Sequence, residues 1–173
     1  MTIHLILGGA RSGKSTYAQT CAEQAACGRP LVMIATAEPF GAEMAARIAE
    51  HQAARGPAWR TLEAPLQVGQ AIAALPAQSC AVLDCLTIWL SNLMLKEVDV
   101  DGEMRDVERA AKAFEGDLWL VSNEVGNGLV PETPLGRAFR DASGRMNQRM
   151  AILADEVTLV VAGLPLTLKK ASS

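Results

Sequence analysis

Eight consecutive residues, Gly8-Gly9-Ala10-Arg11-Ser12-Gly13-Lys14-Ser15, have the types and spacing that cradle phosphate groups. Glycine at 8, 9 and 13 permits left-handed backbone and close approach of the chain to a ligand. Backbone N–H groups of such a loop, joined by those of a helix N-terminus, converge on a chain of phosphates. Lys14 is placed to reach the β- and γ-phosphates, and the Ser15 hydroxyl to hold Mg²⁺. A second candidate is Asp84, which closes the apolar run Cys80-Ala81-Val82-Leu83. In phosphate-loop proteins a carboxylate there binds Mg²⁺ directly or through water, although strands also end in Asp for turn reasons.

These residues need a strand, a loop and a helix in that order. Ile3 to Leu7 is a short apolar run of the kind that forms a buried parallel strand, and from Ser15 the chain reads as helix until Gly28-Arg29-Pro30. Leu31–Ala35 reads as a second buried strand ending in Thr36-Ala37, where phosphate-loop folds place ligand contacts. After a break at Pro39–Gly41, Glu43 to Arg55 reads as a helix with Met44 and Ile48 inward and Glu43, Arg47, His51 and Arg55 along one polar face. Trp59–Glu63 is a short strand, and Pro65 to Leu75 a helix. Cys80–Asp84 is a strand and Thr87 to Leu95 an apolar helix. Asp99–Gly102 reads as a loop and Glu103 to Phe114 as an amphipathic helix. Asp117–Asn123 is a further strand, leading into the glycine-bearing loop Glu124–Pro131. Pro134 to Ala154 is a long helix carrying Arg137, Arg140, Arg145 and Arg149, most of which would solvate its outer face. Val157–Val161 and Leu166–Leu168, separated by Gly163-Leu164-Pro165, read as terminal strands. Strands alternating with helices imply an α/β fold, a mostly parallel sheet with helices on both faces.

The 173 residues suffice for one domain spanning 1–173. A net charge of −3 with no basic tract argues against nucleic acid as the main partner, and no apolar run is long enough to span a membrane. The chain enters strand and loop at once, so no signal peptide is expected and the cytoplasm is the default compartment. Cys21, Cys27, Cys80 and Cys85 form no C-x-x-C pair and share no metal-ligand spacing with His4 or His51; they are expected to be free thiols acting as small buried hydrophobes.

Several ordered stretches together resemble one family. They are the phosphate loop, Ile34-Ala35-Thr36, Glu43-Met44-Ala45-Ala46-Arg47-Ile48 followed by His51, Trp59-Arg60-Thr61, Asn123-Glu124-Val125-Gly126 with Gly128 and Val130-Pro131, and Phe139-Arg140-Asp141 with Gly144-Arg145 and Asn147-Gln148-Arg149. This set is similar to the adenosylcobinamide kinase/adenosylcobinamide-phosphate guanylyltransferase family. The resemblance implies a RecA-like phosphate-loop fold, a homotrimer and a bifunctional enzyme of cobalamin assembly. Such an enzyme phosphorylates adenosylcobinamide with ATP or GTP. It then moves GMP from GTP onto adenosylcobinamide phosphate through a GMP–histidine intermediate. Of the two histidines, His4 lies within the first strand, so the resemblance assigns the nucleophile to His51. Some members carry two adjacent histidines here, where this chain has Glu50-His51. Neutral imidazole is a competent nucleophile near pH 7. The nucleotide-binding set is then the loop residues with Ala35, Thr36, Ala37, Arg47, Glu63 and Asp84, and Mg²⁺ falls to Ser15 and Asp84. Arg47 would offset triphosphate charge beside His51, or else form an i,i+4 pair with Glu43. A plain kinase of another small alcohol and a nucleotide-switched regulatory protein are the competing readings.

Overall fold

The computed structural model describes residues 1–38, 56–128 and 130–171. Its elements are β1 (Ile3–Gly8), α1 (Lys14–Ala26), β2 (Leu31–Ala35), β3 (Trp59–Glu63), α2 (Val68–Ala73), β4 (Cys80–Asp84), α3 (Leu86–Leu95), α4 (Val100–Ala113), β5 (Asp117–Asn123), α5 (Pro134–Leu153), β6 (Glu156–Val161) and β7 (Leu164–Lys169). The helix expected over Glu43 to Arg55, with Arg47 and His51, lies outside the described residues.

Among the described residues the strands form one seven-stranded sheet in the order β3-β2-β4-β5-β1-β6-β7. Every neighbouring pair is parallel except β6 and β7, which form an antiparallel hairpin. Inner strands of a parallel sheet are covered on both faces and so carry near-continuous apolar runs. Strand β4 is buried from Cys80 to Leu83, and β5 from Leu118 to Ser122.

Side-chain alternation divides the sheet into two faces. Ile6, Met33, Cys80, Val82, Trp119, Val121 and Val160 pack against Ala18, Ala22 and Ala26 of α1. Leu5, Ile34, Leu83, Leu118 and Leu120 pack on the opposite face against Val68 and Ile72 of α2, Trp89, Leu90 and Leu93 of α3, Met104 and Val107 of α4, and Met146 and Met150 of α5. Helices thus cover both faces, as the alternating pattern predicts.

Four local expectations change. Helix α2 starts at Val68 rather than Pro65, because the carbonyls of Pro65 and Leu66 are taken by Asn92 Nδ2 at 3.0 Å and Trp89 Nε1 at 2.6 Å of α3. Asp99–Gly102 is not a loop. Asp99 caps α4, which runs from Val100 with Asp101 and Glu103 in its first turn, where acids meet the positive end of the helix dipole. The terminal turn is Ala162-Gly163, with φ of 52° and 79°, so Leu164 and Pro165 belong to β7. Such a two-residue turn with both φ positive matches the twist of the hairpin it joins. Cys27 is exposed in a left-handed conformation at the end of α1, whereas Cys80 and Cys85 are buried and all four thiols are free.

Candidate functional site

Gly8 is the last residue of β1, flanked by Asn123 of β5 and Val160 of β6. A β-carbon there would sit on Ser12 Oγ and 2.6 Å from the Val160 carbonyl oxygen, so only glycine fits. The loop then turns sharply. Ser12 N–H donates to the Gly9 carbonyl at 3.3 Å, and Arg11 and Gly13 take φ of 56° and 90°. Gly13 caps α1, and Lys14 and Ser15 begin it. Gly9, Ala10 and Arg11 are exposed along the rim. Lys14 is buried and bends back across the loop, its Nζ donating to the Gly9 carbonyl at 3.1 Å. Ser12 Oγ is buried and has no hydrogen-bond partner among the described residues. An orphaned hydroxyl beneath converging amides suits a ligand oxygen.

The parity of the sheet brings the other candidates to the same side. Gly8 shares its face with Ile6, Asp84 with Val82, Ala35 with Met33, and Asn123 with Val121, all of which pack toward α1. Each of the four ends its strand. Because β5 separates β1 from β4, the loop and Asp84 are two strand spacings apart, about 10 Å. Asp84 is half-buried, and among the described residues its carboxylate makes no hydrogen bond or ion pair. Ser15, half-buried in the first turn of α1, offers the other hard oxygen. Among the described residues no three His, Cys, Asp or Glu side chains gather around a metal position. One or two protein oxygens with phosphates and water completing the shell is how Mg²⁺ is usually held, so the donor set fits it.

Thr36 is placed differently from its sequence neighbours. It is buried, and its Oγ1 donates to the Cys85 carbonyl at 2.8 Å while accepting the Cys85 N–H at 2.9 Å. Its own carbonyl accepts from Asn92 Nδ2 at 2.8 Å. Thr36 therefore ties the end of β2 to the β4–α3 junction rather than offering a hydroxyl to a ligand. Ala37 is half-buried beside Glu38, which pairs with Lys96 at 2.7 Å. Glu63 is exposed at the end of the edge strand β3, level with Ala35.

Burial pushes the Cys85 thiol up to about 11, the Asp84 charge adding to this against the pull of Lys14. A thiol raised in this way is weakly nucleophilic near neutral pH. His4 is far from nucleophilic use as well. It stacks on Trp119 with ring centroids 4.7 Å apart and contacts Glu156 through Nδ1 at 3.0 Å. The arginines of α5 mostly serve the fold. Arg149 binds Glu108 at 2.8 Å and Asp101 at 3.0 Å, Arg140 binds Asp141, and Arg137 binds the carbonyls of Pro131 and Glu132.

Sequence reasoning gave no site role to Thr87, Ser122 or Asn147, three buried polar residues beneath Asn123, although Asn147 lies in a stretch that carries the family resemblance. The available signal was a polar residue at a core position: Ser122 in an apolar strand, and Asn147 one residue from buried Met146.

The profile of the cobinamide kinase / cobinamide phosphate guanyltransferase family matches residues 4–168. The bifunctional adenosylcobalamin biosynthesis protein CobP of Pseudomonas aeruginosa is 44% identical over 168 residues, 95% of this chain and 96% of that protein. The bifunctional adenosylcobalamin biosynthesis protein CobU of Salmonella typhimurium is 38% identical over 182 residues, covering 95% and 98%. Among solved structures, the flagellar accessory protein FlaH of Methanocaldococcus jannaschii superposes with a TM-score of 0.53 at 14% identity, over 98% of this chain and 79% of that one. That likeness bears out the RecA-like phosphate-loop architecture. The loop, the parallel sheet that mounts it and a match over nearly its full length lead to one assignment: this chain belongs to the cobinamide kinase / cobinamide phosphate guanyltransferase family.

Proposed function

We propose that this chain, acting as one domain over residues 1–173, catalyses two successive transfers. In the first, the aminopropanol hydroxyl of adenosylcobinamide attacks the γ-phosphorus of ATP or GTP and the nucleoside diphosphate leaves. In the second, a ring nitrogen of His51 attacks the α-phosphorus of GTP and pyrophosphate leaves. A phosphate oxygen of adenosylcobinamide phosphate then displaces the histidine, giving adenosylcobinamide-GDP. The single observation that carries this reading is the phosphate loop, with its orphaned Ser12 hydroxyl, in a chain matched to the family from end to end.

The chain's own groups have distinct tasks. Loop amides and Lys14 hold the triphosphate and offset its charge, Ala35 and Ala37 with Glu63 border the nucleotide, and Arg47 steadies the α-phosphate near His51. Ser15 and Asp84 hold Mg²⁺, which when bound neutralises charge developing on the phosphate oxygens. The partners are small molecules, with no nucleic acid or membrane involved, and the compartment is the cytoplasm. We propose a homotrimer on the family resemblance; the exposure of every β7 residue, including Leu164, Leu166 and Leu168, supports a covered surface there.

The test is incubation with GTP labelled in the α-phosphate and Mg²⁺, followed by denaturation. A GMP adduct that is acid-labile and base-stable is expected, as for a phosphoramidate. A plain kinase or a nucleotide switch would carry no such label.

A further inference from the structure

Strand β4 stops at Asp84, level with Val121, so the last two residues of β5 have no strand beside them on that flank. A ring of side chains takes its place. Asn123 N–H donates to Thr87 Oγ1 at 2.7 Å, and Asn147 Nδ2 donates to the Asn123 carbonyl at 3.2 Å. Ser122 Oγ donates to Asn147 Oδ1 at 2.7 Å. That uses the only hydroxyl hydrogen of Ser122, so Thr87 must be the donor in its 3.3 Å contact with Ser122 Oγ. The ring is closed and runs in one direction, and its hydroxyls and carboxamide are buried. Fully satisfied buried networks of this kind hold a unique geometry.

What the ring holds is the backbone of Asn123, on both its N–H and its carbonyl. On the other flank Glu124 N–H donates to the Gly8 carbonyl at 3.0 Å, so the phosphate loop begins on the same footing. The Asn123 side chain leaves on the opposite face from the ring, toward α1, between Gly8 and Asp84. Among the described residues its Nδ2 has only a 4.0 Å contact with Cys85 Sγ, and sulfur is a weak acceptor. A rigidly mounted carboxamide with a nearly free donor therefore sits at the rim of the site.

We propose that Asn123 Nδ2 donates a hydrogen bond to a nonbridging oxygen of the terminal phosphoryl group of the bound triphosphate, and that Thr87, Ser122 and Asn147 are positioning residues for it. The proposal rests on the nucleotide-binding reading above. Charge in phosphoryl transfer spreads over the nonbridging oxygens, where a fixed neutral donor stabilises it without reorganising.

The test compares binding of ADP and of a β,γ-imido ATP analogue to the full chain with Mg²⁺, by calorimetry, alongside kcat for phosphorylation. Asn123→Ala should leave ADP affinity unchanged while cutting analogue affinity and kcat about tenfold, the value of one hydrogen bond to a charged group. Thr87→Val should shift the same two quantities in the same sense, and Thr87→Ser should restore them. An Asn123→Ala protein with wild-type preference for the triphosphate overturns the proposal, as does one losing ADP and analogue binding in parallel. Should Thr87→Val fail to fold, Asn123→Ala decides alone, since its side chain lies outside the ring. A wild-type chain that binds neither nucleotide would overturn the phosphate-loop reading as well, which separates the two failures.

Discussion

Gly163 donates its backbone N–H to the carbonyl oxygen of Ser12 at 2.8 Å, tying the turn of the last hairpin to the phosphate loop. A β-carbon on Gly13 would lie 3.4 Å from Gly163 Cα, so the two backbones run in near contact. The loop is held from three sides: by β5 through Glu124 N–H, by the hairpin through Gly163, and by its own Lys14. Preorganisation of this kind lets the amides face a phosphate without first being ordered.

The loop glycines should not be equivalent. Gly8→Ala pushes a β-carbon into the Val160 carbonyl, which belongs to a paired strand and cannot retreat. Gly9 has open space around it and no left-handed φ. Nucleotide titration should show Gly8→Ala without measurable binding and Gly9→Ala within about threefold of wild type, a spread of some 0.65 kcal/mol.

Asp84→Asn removes a charge from the proposed Mg²⁺ position but no hydrogen bond within the described fold. It should raise the Mg²⁺ concentration for half-maximal kinase rate about tenfold or more and leave the melting temperature close to wild type. Unchanged Mg²⁺ dependence would assign Asp84 to the turn instead.

His51→Ala should separate the two transfers. The kinase step needs no imidazole, so phosphorylated cobinamide should still form while the GMP adduct and the GDP-linked product vanish. Loss of a covalent nucleophile costs several orders of magnitude. Persistence of the label would put the nucleophile on another residue.

Thr36→Val keeps the side-chain volume but strands the Cys85 N–H in a buried place, while the Cys85 carbonyl keeps the N–H of Trp89 at 3.1 Å. Denaturant titration should read a loss of about 1–3 kcal/mol, from one buried donor left without a partner.

Asp117 predicts the acid limb of stability. Desolvation by burial would raise its pKa, but hydrogen bonding and charge from Arg29, at 2.7 Å, with the N-terminal charge and the Thr2 amide, hold it below its ordinary 3.8. The folded state therefore binds this proton less readily than the unfolded chain. The resulting stability is fully present above pH 3.8 and is lost as pH falls through the lower folded value. Unfolding free energies of Asp117→Asn and wild type, measured from pH 6 downward, should converge in that acid range.

The strands Leu31–Ala35, Trp59–Glu63, Cys80–Asp84 and Asp117–Asn123 have the bounds their residue patterns imply. Each is a short run stopped by proline, glycine or an acid, so the information is local. The phosphate loop is legible for the same reason. The start of α4 misled because Asp99, Asp101 and Gly102 resemble a solvated turn, yet acids near a helix N-terminus are favourable there. The structural role of Thr36 was not legible because the partner of its hydroxyl, Cys85, lies 49 residues away. The Asn123 ring joins residues on three elements, and no spacing in one segment reports it. Arg47 and His51 rest on the family resemblance, since they lie outside the described residues.

The alanines at 18, 22 and 26 have a consequence for how this protein can change. Between 0 and 5% exposed, they let α1 lie close against the sheet. The height of that helix sets how deep its first amides sit beneath the proposed phosphate position. A larger side chain at any of the three would lift the helix as a stiff rod and tilt its N-terminus, altering catalysis without touching a reacting group. The plainest residues of the chain thus act as shims, and drift at these positions is confined by geometry several turns away from the chemistry.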